Sequence, residues 1–338
     1  MLRLILGTDW IENREAVLRL IAGEVKRGIP GQILMVPELI SHDTERRLCA
    51  AAGDTASRYA EVLSFTRLLR RVAEREQLAI PECLDNGGRL IAMASSARML
   101  ASKLKSYASV ETRPEFLSGL LDAVDEFKRC CITPEDLKTA SEQTGGTLAQ
   151  KLYELSLILE GYDSVCAQGK HDPRDQMNWL LEQLEVCDYA REHRFYIDGF
   201  PDLTRQHMAI LAHMIRQSPM VTVSLNCDRV HSDAAAFEKA GQTASDLLKI
   251  AREAGITVEI KQVKGRRDPL EQVRAGLFQG AIVPDESLKQ SLMPVRCDSL
   301  FDECQAAAER VMALIGLAMR LAKYSASPKA MSEAMMVM

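Results

Sequence analysis

The chain has 338 residues, 47% of them hydrophobic and 26% charged, with 42 Lys and Arg against 47 Asp and Glu and a formal charge of −5. That balance suits a globular protein of one large domain with an insertion, or of two domains, and excludes a low-complexity or strongly polycationic chain. Local basic faces stay possible, because a mildly acidic protein can still carry a cationic groove.

The N-terminus lacks the charged start, apolar run and cleavage site of a leader, and Leu2 to Leu6 is too short to span a bilayer. A cytoplasmic location with no membrane partner is therefore expected. Nine cysteines are scattered, with only Cys130 and Cys131 adjacent and no C-x-x-C, which points to reduced thiols rather than disulfides or zinc. His207 and His213 stand six residues apart on one predicted helix and so fall on different faces; no metal site is expected.

In chain order, three strand-then-helix units open the sequence. Leu2–Leu6 reads as a buried strand ending at Gly7, with a helix over about Asn13–Lys26. Gln32–Val36 is a second strand, ended by Pro37, and leads to a helix over about His42–Ala52. Glu61–Leu63 is a third, followed by a helix through Arg67 to Glu76.

From about Asn86 to Glu192 the strand signal disappears. Leu90, Met93, Ala97, Leu100 and Leu104 recur at helical spacing, as do Leu152, Leu155, Leu157 and Leu159 less regularly. Thr133-Pro134-Glu135-Asp136 is a helix start with cap, N1 proline and acidic first turn. Strands then return at Phe195–Ile197, Val221–Leu225 and Thr257–Ile260, separated by helices over Thr204–Arg216 and Ala234–Ala254, the latter stopped by Gly255.

A strand is expected to start around Pro294–Leu300, with a helix over Asp302–Leu314. Residues 316–338 carry methionine at 319, 331, 335, 336 and 338, one acid and no coherent period, and read as a disordered tail from a frame slip or truncation. The expected fold is thus α/β: a parallel core over 1–85 and 193–290, an all-helical insertion over 86–192, the start of a second domain over 291–315, and the tail.

Two places on this core invite chemistry. Gly7 ends the first strand where a phosphate-binding loop would follow, but Thr8-Asp9-Trp10-Ile11-Glu12-Asn13-Arg14 lacks the further glycines, the lysine and the hydroxyl. Bulky Trp10 and Ile11 and acidic Glu12 oppose a nucleotide there. Asp198, at the end of Tyr196-Ile197, stands where an acid would hold Mg²⁺, yet Gly199 replaces the glutamate that would position water. Asp198 then reads as a vestigial acid that caps the following turn. No catalytic residue is expected.

The order of these pieces resembles the N-terminal part of the AddB (RexB) subunit of bacterial AddAB helicase-exonucleases. Four matches carry the resemblance: the opening strand into a P-loop position, Leu34-Met35-Val36-Pro37-Glu38, Val62-Leu63-Ser64-Phe65-Thr66-Arg67-Leu68, and Tyr196-Ile197-Asp198-Gly199-Phe200. It covers residues 1 to about 315. Some family members keep an intact phosphate loop, so its loss here is a departure.

The resemblance implies a superfamily 1 helicase-like P-loop sheet that binds and scans DNA in the repair of double-strand breaks, beside an AddA-type motor and nuclease. The nuclease, iron–sulfur cluster and Mg²⁺ of the full-length family lie outside this chain, so no cofactor is expected for it. It places Phe65 and Arg67 along a DNA strand channel; Phe200, by its residue type, either covers a DNA strand by stacking or packs under its own loop. Glu38 and Ser41 lie at the carboxyl edge of the second strand, where such sheets bind ligands. Leu39 stands where the family often has glutamine, which puts recognition of a regulatory sequence such as Chi in question. Two alternatives stay open: an active P-loop ATPase, and a nonfunctional product of a broken reading frame.

Overall fold

The computed structural model describes residues 1–108, 113–231, 234–265, 273, 288 and 292–325, with side chains as far as 317. The chain divides into two units, Met1–Ile282 and Val283–Met338.

The first unit is built on six strands: β1 (Leu2–Gly7), β2 (Gln32–Met35), β3 (Ala60–Leu63), β4 (Arg194–Ile197), β5 (Val221–Asn226) and β6 (Val258–Gln262). All pair in parallel, in the order β3-β2-β4-β5-β1-β6. Side chains alternate between two cores, as the period of two requires. Leu4, Leu6, Ile33, Met35, Phe195 and Ile197 face one core, while Ile5, Leu34, Val36 and Tyr196 face the other. Runs apolar on both faces are what a sheet covered by helices on each side needs.

The second of these cores is closed by α1 (Trp10–Lys26) and α2 (Ser41–Ala52). The first is closed by α3 (Phe65–Glu76) and, after the helical segment, by α8 (Gln176–Val186), α9 (Tyr189–Glu192), α10 (Arg205–Gln217) and α11 (Glu238–Glu253). Between β3 and β4 the chain also runs through α4 (Asn86–Leu100), α5 (Pro114–Arg129), α6 (Pro134–Glu142) and α7 (Gly146–Cys166). Met93, Ala97, Leu120, Val124, Ile158 and Tyr162 form a third core there. Thr133 caps α6 in a reciprocal box with Asp136, as its sequence signature requires.

Several boundaries differ from expectation for local reasons. α1 starts at Trp10, three residues early, because the Asp9 side chain accepts from the Ile11 N–H at 3.0 Å and caps the helix there. The helix expected from Ala234 starts at Glu238, after a 3₁₀ turn over Ala235–Phe237. In the second unit residues 292–299 are irregular, not a strand. Ser299 then caps α12 (Leu300–Ser325): its hydroxyl accepts from the Asp302 N–H at 3.2 Å and donates to the Asp302 carboxylate at 2.7 Å. The helix runs ten residues past the onset of the expected disordered tail, since that stretch is rich in Ala, Leu and Met, strong helix formers. Residues 326–338, and the expected boundary at 290/291, lie outside the described residues. The nine cysteines are all free, and among the described residues no helix is long and apolar enough to cross a membrane.

Candidate nucleic-acid interface

In a parallel sheet the strand ends that carry a site are the carboxyl ends, where successive connections leave in opposite directions. Here the connection after β2 runs outward to β3 and that after β4 runs back to β5, so the adjacent ends of β2 and β4 open a crevice. The Asp198 N–H donates to the Met35 carbonyl at 3.0 Å and joins the two ends.

At the end of β1 only Thr8 and Asp9 separate the strand from α1. A phosphate-wrapping loop needs several residues whose N–H groups converge on the anion. Two residues cannot make that cradle, and the carboxylate of buried Asp9 already accepts from one of the first free N–H groups of the helix, that of Ile11. The space beside Gly7 is filled from within the chain. Asn13, fully buried, donates to the carbonyls of Gly7 at 2.8 Å and Leu225 at 3.2 Å and to Asn226 Oδ1 at 3.0 Å. A Cβ on Gly7 would lie 2.3 Å from Asn13 Oδ1, so the glycine is required by this filling.

Arg14 completes it. Its Nε donates to Asp198 Oδ2 at 2.8 Å, and both side chains are buried. Asp198 therefore does not cap the next turn as expected; Thr204 caps α10 by accepting from the His207 N–H. Trp10, expected to obstruct the pocket, instead stands 52% exposed, with the Arg14 guanidinium 5.3 Å from its ring centroid. Gly199 adopts φ +78°, and a Cβ there would meet Arg14 Nη2 and Ile40 Cδ1, each at 2.9 Å. The turn before Phe200 thus depends on a glycine packed on the Arg14 guanidinium.

Of the other candidate residues, Glu38 and Arg67 meet and Phe65 and Phe200 meet. Ser64, the cap of α3, donates to Glu38 Oε2, whose Oε1 lies 3.7 Å from Arg67 Nε. Arg67 also grips Glu45 Oε1 at 2.9 Å and stays 42% exposed. Ser41 is buried, its hydroxyl donating to the Glu38 carbonyl at 2.9 Å. Phe65 is buried, stacked on His207 with centroids 4.2 Å apart and edge-on to Phe200 at 5.5 Å; Phe200 itself is half-buried. Leu39 is 99% exposed beside them on the 3₁₀ turn after β2.

Sequence reasoning passed over Asn13, Arg14, Ser64 and His207. A signal for the first two existed: at a period of 3.6 they share a stripe with Val17, Leu18 and Ile21, so a polar pair stands on the buried side of an apolar helix. His207 is pushed down to about 4 by burial, so its ring is neutral at pH 7 and packs as an aromatic.

The fold defines an α/β protein with a six-stranded parallel sheet whose carboxyl edge opens a crevice between β2 and β4. The chain belongs to the family described as "ADDB, N-terminal", whose model matches residues 4–274. It is similar to curated proteins named as subunits of an ATP-dependent helicase/deoxyribonuclease. With that of Thermoanaerobacter sp. (strain X514) it is 30% identical over 232 residues, 67% of this chain and 20% of that protein. With that of Moorella thermoacetica it is 29% identical over 273 residues, 76% and 24% respectively. With that of Desulfitobacterium hafniense (strain Y51) it is 28% identical over 252 residues, 70% and 20%. The chain spans about a fifth of the length of these relatives.

Proposed function

We propose that this chain is the helicase-like but nucleotide-independent, DNA-holding region of an AddB-type subunit, acting beside an AddA-type motor and nuclease in processing double-strand DNA ends. The relatives named as helicase/deoxyribonuclease subunits support the setting. The strand order supports a P-loop core, with the glycine-ended β1 and the acid-ended β4 separated by β5 alone; the helices over 86–192 are then an insertion in it.

One observation carries the loss of ATP use. The place of a triphosphate is taken by the chain's own groups: Asp9 on the α1 N-terminus, Asn13 beside Gly7, and Arg14 on the acid that would otherwise hold Mg²⁺.

DNA holding is the task of the neighbouring ends of β2, β3 and β4. Phe200 offers an open aromatic face to a base while Phe65 and His207 brace it from behind. Arg67 exchanges Glu45 for a phosphate, a charge-assisted bond of the same kind. Ser41 holds the turn that carries Glu38, and the Glu38 carboxylate accepts from the Ser64 cap of α3 and faces Arg67.

The test is binding of single-stranded and tailed duplex DNA across a salt series, with ATP titrated separately. Affinity should fall steeply with salt. Phe200→Ala should weaken single-strand binding by about 1 to 3 kcal/mol, and Arg67→Ala should lower the salt slope by about one. Micromolar ATP binding accompanied by Mg²⁺-dependent hydrolysis would instead establish the active ATPase.

A further inference from the structure

Away from the strand ends, α8 meets α3 and the segment entering α4 around a cavity of about 290 Å³. Leu69, Ile80, Pro81 and the Trp179 ring form its apolar walls, and Asp175 and Glu182 add carboxylates. Among the described residues no lysine or arginine lines it. Its volume is at the small end for ligand sites, enough for one extended side chain or a small amine.

The charge around it is unbalanced. Behind the cavity Arg89 grips Asp125 and, at 3.2 Å, Asp172. Lys128 holds Asp163 at 2.9 Å and Asp175 at 2.8 Å, and Arg174 holds Asp125 at 2.6 Å. Four aspartates thus share three cations. Burial pushes the Asp175 carboxyl up against the opposing pull of Lys128. Glu182, solvent-exposed on α8, adds another carboxylate, whose oxygens have no ion pair or hydrogen bond among the described residues. It stands three residues from Trp179 on α8, so the two lie on one helix face beside the cavity.

The geometry points to a binding site for an organic cation, a guanidinium or primary ammonium group on a short apolar stem. The stem lies along Leu69, Ile80 and Pro81, the cation meets the Trp179 ring, and Glu182 accepts its N–H bonds. An aromatic ring beside a carboxylate is the pairing that selects such a group over a metal ion, which needs several converging oxygens, or over a neutral ligand, which leaves the carboxylate unpaired. The site is separate from the DNA-holding role and does not depend on it.

The test uses the full 338-residue chain carrying Trp10→Phe, which leaves Trp179 as its single tryptophan because the sequence has two. Trp179 emission is titrated with N-acetylarginine amide, its neutral isostere N-acetylcitrulline amide, and agmatine. A saturable change with the arginine probe is expected, with the citrulline probe weaker by about tenfold, since its urea still donates N–H bonds to Glu182 but brings no positive charge to the carboxylate or to the Trp179 ring. Glu182→Gln should remove most of that preference and leave the thermal midpoint in place. If an arginine-centred tripeptide binds more tightly than agmatine, the natural source is a side chain of a partner polypeptide; the reverse order identifies a free amine. A linear, non-saturating response, equal binding of the citrulline probe, or an unchanged Glu182→Gln variant overturns the assignment.

Discussion

Arg14 and Asp198 bury opposite charges against each other, and a buried pair is far more sensitive to losing one partner than to losing both. Arg14→Ala or Asp198→Ala should each destabilise the fold by about 3 to 5 kcal/mol, whereas Arg14→Met with Asp198→Leu should recover most of it. A double-mutant cycle in urea measures the difference. His207 supplies a pH-dependent term. Its folded pKa is pushed down to about 4 from an ordinary 6.5, so the unfolded chain binds the proton more readily and stability rises with pH between those values. That contribution should be complete above about pH 6.5 and fall by on the order of 2 to 3 kcal/mol as pH drops to 4. Unfolding free energies of wild type and His207→Gln over that range should differ in slope. The sequence displayed the empty motif plainly, since Gly7 with Thr8 and Asp9 cannot spell a phosphate loop. It hid what fills the space, because the partners of Asn13 and Arg14 lie more than 180 residues away at Asp198, Leu225 and Asn226.

At the scale of elements, the strand-helix alternation was legible because the first four strands are short, largely apolar and closed by a residue with its own turn chemistry: Gly7, Pro37, the Ser64 cap and Gly199. The helical segment was legible as helices but not as a packed object. Beside its apolar core a polar network ties it together: Arg89 on α4, Asp125 and Lys128 on α5, Tyr162 on α7 and Asp172 before α8, whose carboxylate accepts from Tyr162 at 2.6 Å. No periodicity marks such a network. Arg89→Met should destabilise by about 3 kcal/mol or more, since Asp125 and Asp172 lose their shared cation in a dry setting. Thr133→Ala should cost only about 1 kcal/mol, because its capping box is exposed to water. Denaturant midpoints for the two variants should rank in that order.

For the whole molecule, the three cores all lie within Met1–Ile282. The strand order itself could not be read from the sequence, because nothing local tells β4 and β5 to insert between β2 and β1. That insertion bears on synthesis. When the first 190 residues have left the ribosome, β1 has neither of its neighbours and β2 has only β3; the strands that fill the centre of the sheet are still being made. For those seconds the nascent chain exposes an unpaired β1 and an open edge of β2, the kind of intermediate that recruits chaperones, and slowing translation across residues 86–192 should raise its aggregation.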